Sequence, residues 1–479
     1  MSNPGDSTAV IMAAGMGSRM TDLNTECPKA LLPVGRYPMI WYPIRTLEKS
    51  GFSDIIIITR QSWKDQLASN LTSGKVPINA KLEFSTIPDQ EDIGTADSLC
   101  QIADRVKTNV LIVSCDLITD GDFLDLMSVH RKNSSCLTVM LSQLPNSLTA
   151  DTVVPGFKAK QKSNSGEKIS IGFEHNNMEH IVYWKAQVDM EDEFVIFSKK
   201  FLNRFPCARI QSNWTDCHVY LIRDFVIKYL NDKREISSVQ GELVPLVVKK
   251  QMSVFLPKPP QEESSMASPG GDLKLDKKKD LIDYAGETSS HLSHIIQSLS
   301  LTSPSFGVNE DTPRKNLIGC FAYRQTDGFC VRANTIAAFA ETSKQMPRLM
   351  SHFLPAKYTA GPNVPEGTVI KPKSQVGADS MLGENVTIGE KVSIKKSVLG
   401  KNCTVGDGVK ITNSVVMDGV SISQNCTISN CIVSQSAKIE TGCQLSNCII
   451  GDNQTIATMS THNNDVLSNL AHMMSVPLE

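Results

Sequence analysis

The residues best placed to do chemistry lie near the N-terminus. Residues 10–34 read VIMAAGMGSRMTDLNTECPKALLPV. An apolar stretch, residues 10–13, runs into Ala14-Gly15-Met16-Gly17-Ser18-Arg19, and Pro28-Lys29 follows ten residues after Arg19. Glycines in a turn that leaves a strand let backbone N–H groups approach a phosphate closely. Arg19 adds a planar fork of fixed charge and Lys29 a second cation. A Gly-rich turn alone says little. Joined to Arg at this spacing, and to Pro-Lys before an apolar run, it reads as a phosphate-binding loop.

Such a loop needs a sheet to hold it. Residues 8 to about 255 alternate short apolar runs with helix-spaced stretches. Residues 10–14, 55–59, 110–114 and 219–222 read as buried strands, and residues 39–50 and 96–106 as helical. This alternation predicts an α/β domain with a mostly parallel sheet and a cleft at the carboxyl ends of its strands. We place that domain at 8–345. Residues 257–316 interrupt it with Pro, Ser, Gly and charge, including the Lys277–Lys279 run, which is linker or disordered composition with a short helix expected at 291–301.

From Ile370 onward a branched aliphatic recurs in steps of six, six and five, a repeat of 17. Leu382, Leu399, Val416, Val433 and Ile450 then stack in one column; Ile388, Val405, Ile422, Ile439 and Ile456 in a second; Ile394, Ile411, Ile428 and Leu445 in a third. A hexad-like repeat with one buried aliphatic per step predicts a parallel β-helix of three short strands per coil. We place it at 362–457, about five coils or roughly 24 Å of prism at the interstrand spacing, with a tail at 458–479. A second inward position is expected four residues after each aliphatic, at Val386, Val392, Val398, Cys403, Val409, Val415, Val420, Cys426, Ile432, Ala437, Cys443 and Ile449, with Cys431 and Cys448 at coil corners.

Composition excludes several classes. Lys+Arg 48 against Asp+Glu 50 leaves a net charge of −2, no field for nucleic acid or anionic membrane. No apolar run approaches the roughly 18 residues of a membrane helix. The polar residues 1–8 lack the basic start of a secretory signal. Thirteen cysteines, an odd number without a CxxC pair, fit a reduced cytosolic chain, and neither they nor the nine histidines show metal-ligand spacing.

The loop with Arg19 and Pro28-Lys29 resembles the nucleotide-sugar pyrophosphorylase family. Gly94-Thr95-Ala96 is similar to that family's segment beside the base and sugar, and Ser114-Cys115-Asp116 to the strand end bearing its metal-binding aspartate. The resemblance implies a nucleotidyltransferase-like, Rossmann-type domain followed by a left-handed parallel β-helix. It also implies chemistry by in-line attack on an α-phosphorus, with Arg and Lys on the phosphates and two carboxylates on one Mg²⁺. Here the second carboxylate is missing. In Gly328-Phe329-Cys330-Val331-Arg332 an arginine stands where the aspartate is expected, and Gly241-Glu242 is followed by Leu243-Val244-Pro245-Leu246-Val247, with no acid. An arginine repels Mg²⁺.

A finer resemblance, carried by GMGSRMTDL, PKALLPVG, WYP, EDIGTADSL and SCDLITD, is to the gamma-subunit family of eukaryotic translation initiation factor 2B. It implies a non-catalytic subunit of the exchange factor that promotes GDP-to-GTP exchange on initiation factor 2. The partners it implies are the alpha, beta, delta and epsilon subunits and initiation factor 2 itself. The exchange module belongs to epsilon as a C-terminal helical domain, for which this chain leaves no room after its last coil. Gly15, Gly17, Arg19, Lys29, Gly94, Thr95 and Asp116 then remain as a vestigial nucleotide site, with no catalytic residue, metal or cofactor expected. An active pyrophosphorylase, such as a mannose-1-phosphate guanylyltransferase, is the alternative. A β-helix acyltransferase is disfavoured because no histidine lies between Phe353 and Thr461 to act as base.

Overall fold

The computed structural model describes residues 7–23, 27–73, 76–89, 93–106, 108–145, 148, 155–156, 169–186, 197–251, 279–285, 318–354, 365 and 367–468. Strands β1 (Ser7–Met12), β2 (Asp54–Arg60), β3 (Lys81–Ile87), β4 (Asn109–Ser114), β6 (Leu137–Ser142), β7 (Thr215–Ile222) and β8 (Cys320–Gln325) form one sheet, in the order β8-β6-β7-β4-β1-β2-β3. A short strand, β5 (Leu117–Thr119), follows β4 outside it. β1 pairs in parallel with β2 and β4, β2 with β3, and β6 with β8, while β7 runs antiparallel between β4 and β6. Helices cover both faces, so Val10, Ile11, Ile57 and Ile58 are fully buried, as near-continuous apolar strands require.

The helical stretches are shorter than their periodicity suggested. One spans Trp41–Lys49; the other, Thr95–Cys100, ends in a separate turn at Ala103–Arg105. β3, β6 and β8 were not singled out in the sequence. β3 alternates exposed and half-buried residues as an edge strand does, and β8 mixes buried with half-buried positions.

Most of the 257–316 insertion, with the expected helix at 291–301, lies outside the described residues. Residues 281–285 within it do not behave as linker. They form a helical turn whose Leu281 and Ala285 are buried in the main core; Asp280 pairs with Lys250, and the Tyr284 hydroxyl donates to Asp232. Two apolar side chains at one-turn spacing are too weak a signal to stand out among Pro, Ser and Lys.

The C-terminal part is a left-handed parallel β-helix with three six-stranded faces. Its registers reproduce the 17-residue columns: Leu382 lies on Leu399, Ile388 on Val405 and Ile394 on Ile411. It is one coil longer than the aliphatic count gave, running from Val369 to Leu467 and so past the expected boundary at 457. In the last coil His462 takes the place under Leu445 and interrupts that column, while Leu467 continues the column of Ile450.

The second inward position needs correcting on one face. Val398, Val415, Ile432 and Ile449 point out of the prism, whereas Cys431 and Cys448 point in. Residues alternate sides along a strand, so the inward partner sits two before each aliphatic. After a six-residue step that is the fourth residue on; after the five-residue step it is the third.

Those outward aliphatics join the two parts of the molecule. They pack with Met381 against the long helix Ile336–Phe353, whose Phe339, Met346 and Phe353 reach Trp41 and Tyr42 of the α/β part. The helix begins at Thr335, whose hydroxyl accepts the Ala338 N–H at 3.2 Å, and it crosses the boundary expected at 345.

Candidate functional site

The carboxyl ends of β1 and β4, with the amino-terminal end of the antiparallel β7 beside them, open on the predicted loop. A β-carbon placed on Gly15 would meet nothing within 4 Å, while Gly17 has φ +69°. The fold therefore demands glycine at 17, but at 15 neither packing nor the backbone does. Met16, Ser18 and Arg19 are exposed. Arg60 at the end of β2 holds the loop's base, its Nε donating to the Ala14 carbonyl at 3.2 Å.

Lys29 goes elsewhere. The turn Lys29–Leu31 buries it, and its Nζ lies 2.5 Å from Oδ2 of Asp116, itself 2 % exposed. Asp116 sits between β4 and β5. Strand β9 (Cys330–Arg332) pairs antiparallel with β5, placing Arg332 opposite Leu117, and the Ala333 N–H donates to the Asp116 carbonyl at 2.8 Å. The guanidinium thus reaches the same carboxylate: Nε to Oδ1 at 3.1 Å and Nη2 to Oδ2 at 3.2 Å. Ser114 Oγ donates to Oδ1 at 2.7 Å. Each carboxylate oxygen accepts two bonds, which uses the lone-pair sites a carboxylate offers. Burial alone would raise the Asp116 carboxyl. The guanidinium of Arg332, then Lys29, with the hydrogen bonds from Lys29 and Ser114, instead hold it well below the usual carboxylate range.

The pyrophosphorylase resemblance implies Mg²⁺ here, and these residues do not fit it. The aspartate that would bind the ion is filled by donors, the position of the second acid carries Arg332, and the three charges sum to +1 before any metal arrives. Among the described residues no group of three His, Cys, Asp or Glu could hold a metal ion.

The structure adds neighbours that the sequence did not single out. His218 sits at a bulge in β7 with φ +52°; its N–H donates to Asp216 Oδ1 at 2.8 Å, and its Nε2 is 2.8 Å from Gln240 Oε1. Desolvation and then the nearby Arg332 hold this imidazole well below its ordinary pKa, which keeps a third cation out of the cluster. The Tyr220 hydroxyl donates to Asp216. The one sequence signal was a polar pair, Asp216 and His218, inside a strand otherwise fit for the core.

Gly94 and Thr95 are turned to internal work. A β-carbon on Gly94 would lie 2.2 Å from the Ser237 carbonyl oxygen, so only glycine fits. The Ala96 N–H donates to that oxygen at 2.8 Å, and Thr95 Oγ1 accepts the Val239 N–H at 2.9 Å. Ser237 N–H in turn donates to Glu242 at 2.8 Å. Of the predicted site residues, then, Lys29 and Asp116 meet each other. Gly15, Gly17 and Arg19 form an open loop, and Gly94 and Thr95 fasten residues 237–239.

Comparison with known proteins matches residues 8–149 to the nucleotidyl transferase family and residues 364–461 to the LbH domain of the EIF2B epsilon subunit. The chain is 32% identical over 248 residues to translation initiation factor eIF2B subunit gamma of Caenorhabditis elegans, a match covering 50% of this chain and 58% of that protein. It is 27% identical over 406 residues to eIF2B subunit gamma of Dictyostelium discoideum, covering 80% and 84%. A mannose-1-phosphate guanyltransferase of Aspergillus oryzae is 28% identical over 140 residues, 28% of this chain and 37% of the enzyme.

Proposed function

We propose that this chain, a nucleotidyltransferase-like protein related to eIF2B gamma subunits over as much as 80% of its length, is a non-catalytic subunit of the translation initiation factor 2B complex. In this reading it acts with the epsilon subunit in the cytosol, beside the alpha, beta and delta subunits, to promote GDP-to-GTP exchange on initiation factor 2. The observation that carries the non-catalytic part is the Asp116 cluster. The carboxylate that metal-assisted nucleotidyl transfer would use is committed to Arg332, Lys29 and Ser114. Lys29, which such chemistry would place on a phosphate, is spent in the same cluster.

A subunit of this kind works by binding. Exchange is promoted when the assembly holds the nucleotide-poor GTPase more tightly than the GDP-bound one, so a surface that adds affinity to the first state alone suffices. The fold suits a rigid scaffold: the aliphatic seam along the long helix fixes the β-helix against the α/β domain. The similarity to the guanyltransferase spans only 140 residues, 28% of this chain, which makes an active pyrophosphorylase the weaker reading.

The test is recovery of the tagged chain under native conditions. The proposal expects a heteromeric particle several times the 52.5 kDa of the chain, containing other initiation factor 2B subunits. A lone homo-oligomer that releases pyrophosphate from a nucleoside triphosphate and a sugar phosphate would overturn it.

A further inference from the structure

Away from the Asp116 cluster, the long helix Ile336–Phe353 and the corners of the β-helix enclose a polar cavity of about 250 Å³. From the helix come Glu341, Lys344, Gln345 and Arg348, which share one face by their spacing. Asp379 and Lys396 face them from the coils.

The charges in this cavity are unevenly used. Arg348 Nη2 pairs with Asp379 at 3.3 Å, and Gln345 donates to Glu341 Oε1 at 2.9 Å. Lys344 and Lys396 have no ion-pair partner within 4.0 Å among the described residues. Lys344 is largely withdrawn from water, and that desolvation lowers its pKa, partly offset by Glu341. Lys396 has φ +48° at a corner where the following coils carry Asn413, Asn430, Asn447 and Asn464, all with positive φ. Asparagine suits this backbone, and Asn413, Asn430 and Asn447 form a side-chain ladder at 3.0 and 2.8 Å. At the cavity the ladder gives way to a lysine. The partly buried Lys344 and the exposed Lys396 line one half-open cavity in which three cations, with Arg348, face two carboxylates, Glu341 and Asp379, so the space carries an excess positive charge suited to an anion.

We propose that this seam binds a small tetrahedral oxyanion, inorganic phosphate or the phosphate group of a small ester, bridged by Lys344 and Lys396. The bound anion joins the long helix to the β-helix and so stabilises the contact between the two parts of the chain. The site is independent of the non-catalytic reading of Asp116.

Isothermal titration of the full-length chain with inorganic phosphate, against chloride at matched ionic strength, tests it. The expected result is a saturable one-to-one isotherm that Lys344→Met and Lys396→Gln each weaken about tenfold or more, as loss of a charged hydrogen bond should. Lys410→Gln, on an exposed strand position, should leave it unchanged. Lys396 lies at a turn, so its variant carries the test if Lys344→Met fails to fold. A parallel titration with glucose 6-phosphate separates the sources: tighter binding assigns an ester, weaker binding the free ion. Absence of a saturable isotherm, or one lost with Arg19→Gln but kept in both lysine variants, overturns the proposal.

Discussion

The β-helix and the cleft of the α/β domain carry equally recognisable sequence, yet they relate to it differently. In the β-helix each side chain is surrounded by the coils above and below, 17 residues away in either direction, so the surroundings repeat with the sequence. In the cleft, Lys29 and Arg332 lie 87 and 216 residues from the aspartate they share. Only the topology brings them together. A repeat therefore reports its own environment, whereas a motif reports ancestry and leaves open what its side chains now bind. Arg332, which grips both oxygens of Asp116, lies outside the N-terminal motif altogether.

Acid should separate the two regions most strongly, because their buried groups respond with opposite sign. Asp116 titrates well below the usual carboxylate value, so the stability it contributes is complete above about pH 4 and is lost as pH falls below that. Burial, then Arg223 and Arg131, push His130 down to about 3. Between about pH 6.5 and that value the unfolded chain takes up a proton the folded domain refuses, so stability falls there too. Asp418, in the β-helix, is raised by burial, so its protonation in acid favours the folded form. All four tryptophans, Trp41, Trp63, Trp184 and Trp214, lie in the α/β part. On acidification in moderate urea, tryptophan fluorescence should report unfolding before the β-sheet signal in far-UV circular dichroism is lost. Simultaneous loss would break the comparison.

Asp116→Leu should cost about 3–5 kcal/mol, since it leaves two buried cations facing each other. Urea unfolding followed by tryptophan fluorescence measures it, and an unchanged midpoint would mean that the cluster is not closed. In the prism, Ile428→Ala should cost about 2–5 kcal/mol by opening a cavity at a fully buried position. That loss should appear in the circular dichroism transition ahead of the fluorescence one. The smallest effect is expected at Thr95→Val, which removes the acceptor of the Val239 N–H for about 1 kcal/mol. Faster hydrogen exchange at Val239, with its neighbours unchanged, would sharpen the claim that this segment serves the fold.

What was legible follows the same division. The columns of the β-helix, the buried strands at 10–14, 55–59 and 110–114, and the strand-to-loop turn at Gly15 follow from local pattern. The side of the prism on which Val398 and Cys431 lie was legible too, in the five-residue step, but a uniform count of four residues after each aliphatic misplaced it. The packed turn at 281–285 was hidden by its composition, and the last coil by His462 in an aliphatic column. At the cleft, the misfit of Arg332 to a metal site was visible from its charge. The bidentate grip on Asp116, the bulge at His218 and the contact between Gly94 and Ser237 arise from long-range pairing and carry no local signature.

The central claim is that the nucleotidyltransferase cleft is locked by its own cations. It is tested most directly by pyrophosphate release from the purified chain with Mg²⁺, GTP and mannose 1-phosphate, compared with a protein-free blank. The account predicts no release above the blank. Mg²⁺-dependent turnover that disappears in Asp116→Asn would show that the carboxylate opens to a metal, and would contradict it.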